Sequence, residues 1–350
     1  MTDPDSRTEK PVYSSAAEID AAGRVIRQGG LVVFPTETVY GLGADALNPD
    51  AVARIFAAKG RPADNPLIVH VAEMSWIGRV AGEISPAAKR MLSAFAPGPM
   101  TLVLPARADL PRVVTAGLDT VAVRLPAHPV AQALLRAAGV PLAAPSANRS
   151  GAPSPTTMAM ARHSLGDAAD VYLDGGPCAV GLESTVIRVC GDEVTILRPG
   201  AVTEADIRAV LPDIPVRVGA GSASVQDQAA RSPGTRHQHY RPTAPVVVWE
   251  SVAALHEALA AGTDSAMPTM IIAPRCMAMS SQDLARLAGG RVALRAYADP
   301  AEYGRCLYAW FAESDTMGAG RVLAHLPPGE GLGIALRDRL MRASGRTGAC

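Results

Sequence analysis

The sequence predicts an α/β protein with two domains: an N-terminal domain with a mixed, twisted sheet and helices, and a smaller C-terminal domain. Three observations lead to this prediction. The length of 350 residues exceeds one average core. Strand-like and helix-like segments alternate along most of the chain. From about residue 211 to residue 244 this alternation gives way to Pro, Gly, Ser and His, which is typical of a linker or a functional lid.

These changes in pattern set the domain boundaries that we expect. A polar tail covers residues 1–14, and the first α/β domain covers 15–210. A linker or lid follows over 211–244, then the second α/β domain over 245–341 and a tail over 342–350.

In the N-terminal domain, helix signals are strongest at two places. Ser15 starts a helix that ends before Gly29, and Asn48 with Pro49 starts another that ends at Gly60. Strands are predicted at 31–34, 67–71, 100–105, 120–126 and 141–145, and further helices begin at Ser85, Pro129 and Thr156. Three more strands, near 170–174, 184–189 and 194–198, are predicted to lie close together as an antiparallel part, which makes the sheet mixed.

The C-terminal domain shows a regular βα alternation. Strand segments occur at 246–249, 269–273, 292–298 and 321–326, with helices between them, one from Pro300 and a last one to about Met341. This pattern predicts a small, open, parallel sheet of the Rossmann-like type.

Composition limits the classes of function. A hydrophobic content of 48% and a mean hydropathy of +0.14 describe a chain that can bury a core. A net charge of zero argues against a general polyanion-binding surface. The five cysteines show no CxxC spacing, which favours free thiols in a reducing compartment. With neither a signal peptide nor a membrane-length apolar run, we expect a cytoplasmic protein without a membrane partner.

The segment FPTETVYGLGADA after the first strand contains Gly41-x-Gly43-x-x-Ala46, which formally matches a dinucleotide fingerprint. The context argues against that function, because the fingerprint needs a tight turn directly from strand to helix. Here polar residues fill the gap after the strand, and the helix begins only at Pro49. No GxxxxGK[ST] motif for phosphate binding occurs in the sequence.

Several cationic residues fit either a structural or a binding function. Lys59 and Arg61 follow a helix end, where basic residues favour the helix dipole, but a lysine also suits a phosphate oxygen. Arg124 shares a strand face with Thr120 and Ala122, and a buried arginine requires an anion. Arg198 ends a strand, where a surface arginine would be unremarkable.

Polar loop and strand residues are equally ambiguous when considered singly. Ser146, Asn148 and Ser154 fit turn chemistry or a loop that reaches phosphate oxygens, and Asn65 fits a turn. A lone strand histidine such as His70 is more often structural. The pair His237-x-His239 has no carboxylate or cysteine nearby, so we predict no metal site there. No spacing indicates a covalent catalytic arrangement.

As an ordered set, these segments resemble one family. FPTETVYGLGADA, KGRPADNPL, PGPMTLVLP, VAVRLPAHP, APSANRSGAPSPT, GLESTVI and LRPGAV follow one another as in the YrdC-like domain of the threonylcarbamoyl-AMP synthase family. Lys59-x-Arg61 and Ser146-x-Asn148 match its KxR…SxN signature. SPGTRHQHYRP, residues 232–242, resembles the linker of the longer two-domain form, and the likeness covers residues 15–341.

The resemblance implies a nucleotidyltransferase that forms L-threonylcarbamoyladenylate from L-threonine, bicarbonate and ATP and releases pyrophosphate. It implies Mg²⁺ with the ATP and a partner transferase that passes the threonylcarbamoyl group to tRNA, giving N6-threonylcarbamoyladenosine. A contact of the chain itself with double-stranded RNA or tRNA is left open.

The resemblance also implies the residues of the site. The threonine side would consist of Thr36 or Thr38 together with His70, Arg124, Ala144 and Ser184. The ATP side would consist of Lys59, Arg61, Asn65, Thr120, Ser146, Ser154, Arg198 and Tyr240. Lys59, Arg61, Ser146 and Asn148 would be catalytic, and Tyr240 would belong to a lid that excludes water.

Two other functions share some of these sequence features. An RNA-binding or ribosome-associated factor could also use an arginine-lined concavity, but zero net charge and an aromatic content of 4% count against it. A carbamoyl-adenylate-forming enzyme of hydrogenase maturation would carry zinc-finger cysteines and an acylphosphatase segment ahead of the domain, and the sequence contains neither.

Overall fold

The computed structural model describes residues 14–191, 193–219, 240–261, 267–277 and 291–346. Within these residues the strands form two sheets, one of ten strands and one of four. We call them the large sheet and the small sheet. They correspond to the mixed N-terminal and parallel C-terminal sheets that the sequence predicts.

The large sheet combines parallel and antiparallel pairs. Its order is β10-β9-β8-β4-β5-β3-β6-β2-β1-β7. The strands are β1 Val32–Phe34, β2 Gly41–Asp45, β3 Ile68–His70, β4 Met100–Pro105, β5 Thr120–Arg124, β6 Leu142–Ala143, β7 Val171–Tyr172, β8 Thr185–Cys190, β9 Glu193–Arg198 and β10 Val216–Val218.

The prediction that three late strands lie together is wrong for the first of them. β8 and β9 pair antiparallel as expected, but β7 pairs in parallel with β1 at the opposite edge of the large sheet. Its two residues lie opposite Val32 and Val33. Closeness along the chain suggested the wrong partner, because the pairing of so short a strand is decided by a neighbour distant in sequence.

The glycines of the formal fingerprint belong to a strand that the sequence analysis did not predict. β2 runs antiparallel to β1, so that Gly41 lies opposite Phe34. A Cβ on Gly43 would lie 2.8 Å from the Phe34 ring, and one on Gly41 would lie 3.2 Å from it. These glycines therefore make room for Phe34, and the polar loop 35–40 between the strands is left to form part of the site.

Helix caps follow the sequence signals. Ser15 and Glu18 form a capping box on α1, and the Asn48 side chain accepts the N–H groups of Asp50 and Ala51 on α2. The helices of this domain are α1 Ala16–Arg27, α2 Pro49–Lys59, α3 Pro86–Phe95, α4 Arg112–Thr115, α5 Pro129–Ala138, α6 Met158–Leu165 and α7 Glu204–Val210.

The small sheet is parallel throughout, in the order β11-β14-β12-β13. Its elements are β11 Val246–Trp249, α8 Val252–Ala260, β12 Thr269–Pro274, β13 Val292–Tyr297, α9 Pro300–Thr316, β14 Arg321–His325 and α10 Leu332–Ala343. The helix predicted between β12 and β13 lies outside the described residues.

The range predicted as a linker begins with ordered structure. β10 lies inside it and pairs in parallel with β9. Residues 220–239, including most of the predicted lid and the pair His237 and His239, lie outside the described residues.

The two domains meet closely along the segment before β8. A Cβ on Gly181 would lie 2.4 Å from the Cα of Arg305 on α9. Leu182 is buried in the C-terminal core together with Tyr240 and Leu307. This close approach places the residues just before β8 between the candidate site and the C-terminal domain.

None of the described helices combines the length and apolar character needed to cross a membrane.

Candidate active site

The candidate site is a cleft in the N-terminal domain with an empty volume of about 750 Å³. Its walls come from the loop after β1, the end of α2, the ends of β3, β5 and β9, and the loop after β6. The sequence-predicted residues that line it are Thr36, Thr38, Lys59, Arg61, His70, Arg124, Ala144, Ser146, Asn148, Ser154, Ser184, Arg198 and Tyr240.

Two predicted residues are not brought to the wall of the cleft. Thr120 begins β5, at the end opposite Arg124, and lines a separate depression with Asp119 and Arg188. Asn65 is fully buried, and its backbone carbonyl accepts a hydrogen bond from Arg61 at 3.2 Å. Its side-chain amide has no hydrogen-bond partner among the described residues.

Arg124 lines the cleft and is paired with an anion of the same chain. It is 4% exposed, and its Nη2 lies 2.7 Å from Oε1 of Glu37. Its Nη1 donates to the Thr38 hydroxyl at 2.8 Å, and its Nε donates to the Gly98 carbonyl at 3.3 Å. The prediction that this buried arginine requires an anion is confirmed, and sequence reasoning had assigned no function to Glu37.

The two threonines of the loop after β1 have different hydrogen-bond roles. The Thr36 hydroxyl donates to the Val39 carbonyl at 2.7 Å and accepts the N–H groups of Thr38 and Val39. It therefore shapes the loop. The Thr38 hydroxyl contacts Thr36 and Arg124, and it is the one that joins the loop to the cation.

Lys59 and the loop after β6 form one unit. The Nζ atom of Lys59 donates to the carbonyls of Ser146 and Asn148, at 2.5 Å in each case. The Ser150 N–H donates in return to the Lys59 carbonyl at 2.9 Å. Burial, together with the nearby charge of Arg61, lowers the pKa of the Lys59 ammonium well below its usual value. Both halves of the KxR…SxN pattern thus meet in space.

Several buried polar atoms at the cleft have no protein partner among the described residues. They are Nε of Arg61, Nδ1 of His70 and Oδ1 of Asn148. Burial lowers the pKa of Arg61 to about 10, and burial together with Arg124 lowers the pKa of His70 to about 3. Because unsatisfied buried polar atoms are costly, their concentration in this cleft is typical of a ligand-binding site.

The other wall is centred on Arg198. Arg198 is not a surface arginine, since it is 5% exposed and donates from Nε and Nη2 to the Ser184 carbonyl at 3.2 and 2.9 Å. The Ser184 hydroxyl in turn contacts that of Thr101 at 2.8 Å. Next to them the Ser154 hydroxyl donates to Oε1 of Glu183 at 2.5 Å.

Sequence reasoning missed the residues that support this wall from the C-terminal domain. Glu183 bonds with Tyr308 and Arg339, and Tyr240 stacks on Tyr308 with ring centroids 5.6 Å apart. The segment GLESTVI contains Glu183, but nothing in its pattern indicates partners more than a hundred residues away. Tyr240 itself is described and lines the cleft, with a left-handed φ of 69°.

Both halves of the sequence match models of known families. The model described as "Telomere recombination" matches residues 24–200, and the model described as "Threonylcarbamoyl-AMP synthase, C-terminal domain" matches residues 202–345. A threonylcarbamoyl-AMP synthase of Bacillus subtilis is 40% identical over 332 residues, which is 94% of this chain and 93% of the relative. The chain belongs to the threonylcarbamoyl-AMP synthase family.

Relatives from Pyrococcus abyssi agree with this chain in sequence and in structure. A threonylcarbamoyl-AMP synthase of Pyrococcus abyssi is 39% identical over 333 residues, 94% of each chain. The crystal structure of P. abyssi Sua5 complexed with L-threonine matches with a TM-score of 0.84 and 38% identity and covers 95% of both chains. Family membership identifies this chain as an enzyme of the nucleotidyltransferase type, and the match confirms the two-domain fold that the sequence predicts.

Proposed function

We propose that the chain condenses L-threonine, bicarbonate and ATP into L-threonylcarbamoyladenylate and releases pyrophosphate. The observation that carries the proposal is the arrangement of buried cations around one cleft. Arg124, Lys59, Arg61 and Arg198 all line this cleft. Two anionic reactants must meet for this reaction, so the protein must supply positive charge to both of them.

L-Threonine is assigned to the Arg124 side. A guanidinium binds a carboxylate with two parallel hydrogen bonds, and Glu37 and Thr38 fix the orientation of this one. Because Thr38, and not Thr36, is hydrogen-bonded to Arg124, we assign the threonine contact to Thr38. The low pKa of His70 keeps its ring neutral at pH 7, so its unpartnered Nδ1 can accept a hydrogen bond from the amino acid. Support also comes from the P. abyssi structure, which holds L-threonine.

ATP is assigned to the side formed by Lys59, Arg61 and Arg198. Lys59 uses two donors on backbone carbonyls, which leaves a third for a phosphate oxygen. No group of three or more His, Cys, Asp or Glu side chains that could hold a metal occurs in the described part of the chain. Mg²⁺ would therefore enter as MgATP, bound chiefly by the phosphates whose charge it neutralises.

The chemical step needs positioning more than activation. A carboxylate oxygen of the carbamate on the threonine amine attacks the α-phosphorus of ATP. The new O–P bond forms as the bond from the α-phosphorus to the bridging oxygen breaks, and that oxygen leaves with pyrophosphate. Because a carbamate decomposes in water, holding both reactants in a buried cleft accounts for the catalysis without a protein nucleophile.

The product is an activated acyl phosphate. A transferase that accepts the threonylcarbamoyl group and passes it to tRNA would consume it, which assigns the chain to tRNA modification. The buried position of Arg124 and Arg198 favours small anionic ligands over an RNA backbone, which needs cations on an accessible surface.

Pyrophosphate release from ATP tests the proposal. The purified full chain should release pyrophosphate only when both bicarbonate and L-threonine are present, and serine and carbamoyl phosphate should be poor replacements. Mass spectrometry should detect the adenylate. Release that is independent of threonine, or stimulated equally by carbamoyl phosphate, would reject this assignment.

A further inference from the structure

A buried polar network crosses the interface between the two domains at the ATP side of the cleft. Oε1 of Glu183 accepts from Ser154 at 2.5 Å and from Tyr308 at 3.2 Å. Oε2 accepts from Nε of Arg339 at 2.8 Å and from Tyr308 at 3.0 Å. Ser154 and Glu183 line the cleft, whereas Tyr308 lies on α9 and Arg339 on α10.

All four side chains are removed from solvent. Ser154 is 1% exposed and Glu183 is 6% exposed, and Tyr308 and Arg339 have no measurable exposure, at 0%. Taking a charge out of water is costly unless it is paired and hydrogen-bonded. Glu183 therefore depends on donors of the C-terminal domain for its charged form.

The ionised state of Glu183 decides what Ser154 can offer a ligand. Burial raises the pKa of the Glu183 carboxyl, but the charges of Arg339 and Arg198 and the bond from Ser154 outweigh it, so this pKa lies below its usual value. An ionised carboxylate only accepts, so the Ser154 hydroxyl must donate to it. The lone pairs of Ser154 remain for a donor group of the ligand, such as a ribose hydroxyl, rather than for a phosphate oxygen.

Arg339 also reaches the backbone beside Arg198. Its Nη2 donates to the carbonyl of Pro199 at 3.0 Å, and its Nη1 donates to Asp338 at 2.5 Å. Its guanidinium carbon lies 5.2 Å from the centre of the Tyr240 ring. Arg339 thus contacts Glu183, which accepts the Ser154 hydroxyl, the backbone next to Arg198, and the ring of Tyr240.

We infer that Tyr308 and Arg339 are positioning residues for nucleotide binding, and that the C-terminal domain completes the ATP side of the cleft through them. They act through Glu183 on Ser154 and through Pro199 on Arg198, and they do not touch the cleft themselves. The inference rests on the proposed function, since it assigns this wall to ATP.

The test separates this function from a general contribution to stability. Tyr308→Phe removes one hydroxyl from the network. The matched control is Tyr303→Phe, because Tyr303 lies on the same helix, is equally buried, and donates to the carbonyl of His325 within the C-terminal domain at 3.0 Å. Binding of ATP and of L-threonine to both full-length variants is measured by calorimetry, together with the melting temperature.

We expect Tyr308→Phe to weaken ATP binding about tenfold, the usual effect of losing a hydrogen bond to a charged group. Its threonine affinity should stay within about twofold of the original chain, and Tyr303→Phe should bind both ligands normally. Arg339→Lys, which keeps the charge but loses the planar fork, should weaken ATP binding at least as much.

Equal ATP affinity of Tyr308→Phe and Tyr303→Phe would overturn the inference, whatever happens to their melting temperatures. Equal weakening of ATP and threonine binding by Tyr308→Phe would overturn it too, because the network would then support the whole cleft. The unaltered chain is measured first. Failure of that chain to bind ATP would refute the proposed function itself, and the variants would not be needed.

Discussion

The two sides of the cleft are stabilised in different ways. Arg124 is neutralised by Glu37, which lies three residues after the end of β1 and within the same domain. On the Arg198 side, Glu183 is neutralised by Arg339, 156 residues further along and in the other domain. The first side is complete within the N-terminal domain, and the second needs both domains. Substitutions in the C-terminal domain should therefore weaken ATP binding more than they weaken threonine binding.

The largest effect is expected from Arg124→Ala, which should abolish threonine binding and spare ATP binding. The substitution removes the partner of the threonine carboxylate. It also leaves Glu37 as an unpaired, mostly buried carboxylate, and breaking such a pair typically costs about 3–5 kcal/mol of folding stability.

The double variant Arg124→Ala/Glu37→Gln separates these two effects. It should recover much of the melting temperature but none of the threonine affinity in calorimetry. If threonine binds the double variant as it binds the original chain, Arg124 is structural.

Lys59→Ala should cost roughly 2–4 kcal/mol of transition-state stabilisation, which is common for one preorganised donor. It should also loosen the loop that presents Ser146 and Asn148, because Lys59 holds both carbonyls. Pyrophosphate release at saturating substrates measures the effect. Lys89→Ala, on the exposed face of α3, is the control. A Lys59 variant with the turnover of the Lys89 variant would exclude Lys59 from the mechanism.

His70 predicts a pH dependence of stability. Its pKa of about 3 in the folded chain lies below the usual 6.5, so the unfolded chain takes up the proton first as pH falls. Stability present above pH 6.5 is therefore lost progressively as pH falls toward 3. Between pH 7 and pH 5, His70 accounts for a loss of about 2 kcal/mol in the free energy of unfolding.

His70→Gln should flatten the curve of unfolding free energy over this range, as measured by denaturant titration at several pH values. The exposed His163 provides the comparison, since His163→Gln should leave the curve unchanged. A steep acid limb that persists in His70→Gln would assign the dependence to other groups.

Of these substitutions, Tyr240→Ala should have the smallest effect on ligand binding, and it should affect the ATP side of the cleft alone. It removes a ring stacked on Tyr308 and near Arg339, and such contacts are worth about 0.5–1.5 kcal/mol. ATP binding should weaken about three- to tenfold, with threonine binding unchanged. A larger loss of threonine affinity than of ATP affinity would assign Tyr240 to the threonine side of the cleft and contradict this account.

The parts of the fold that sequence could predict are those with local signals. Ser15, Asn48 and Gly60 predicted helix ends that the structure shows, and the period-two pattern around Arg124 predicted its burial. β2 was missed because its alternating glycines serve the Phe34 ring, a contact that no local pattern reveals.

The candidate site divides in the same way. Resemblance supplied the wall residues, and the structure brings most of them together. The partnership of Glu37 with Arg124, and of Glu183 with Arg339, depends on segments 87 and 156 residues apart. Such pairs become visible only when the sheet and the domain interface are built, because charge and spacing along the chain do not identify them.

A crystal structure of the full chain with L-threonine and a non-hydrolysable ATP analogue tests the central claim most directly. The account predicts both ligands in the one cleft, with the threonine carboxylate on Arg124 and the phosphates among Lys59, Arg61 and Arg198. Ligands on separate surfaces, or phosphates bound at Arg124, would contradict it.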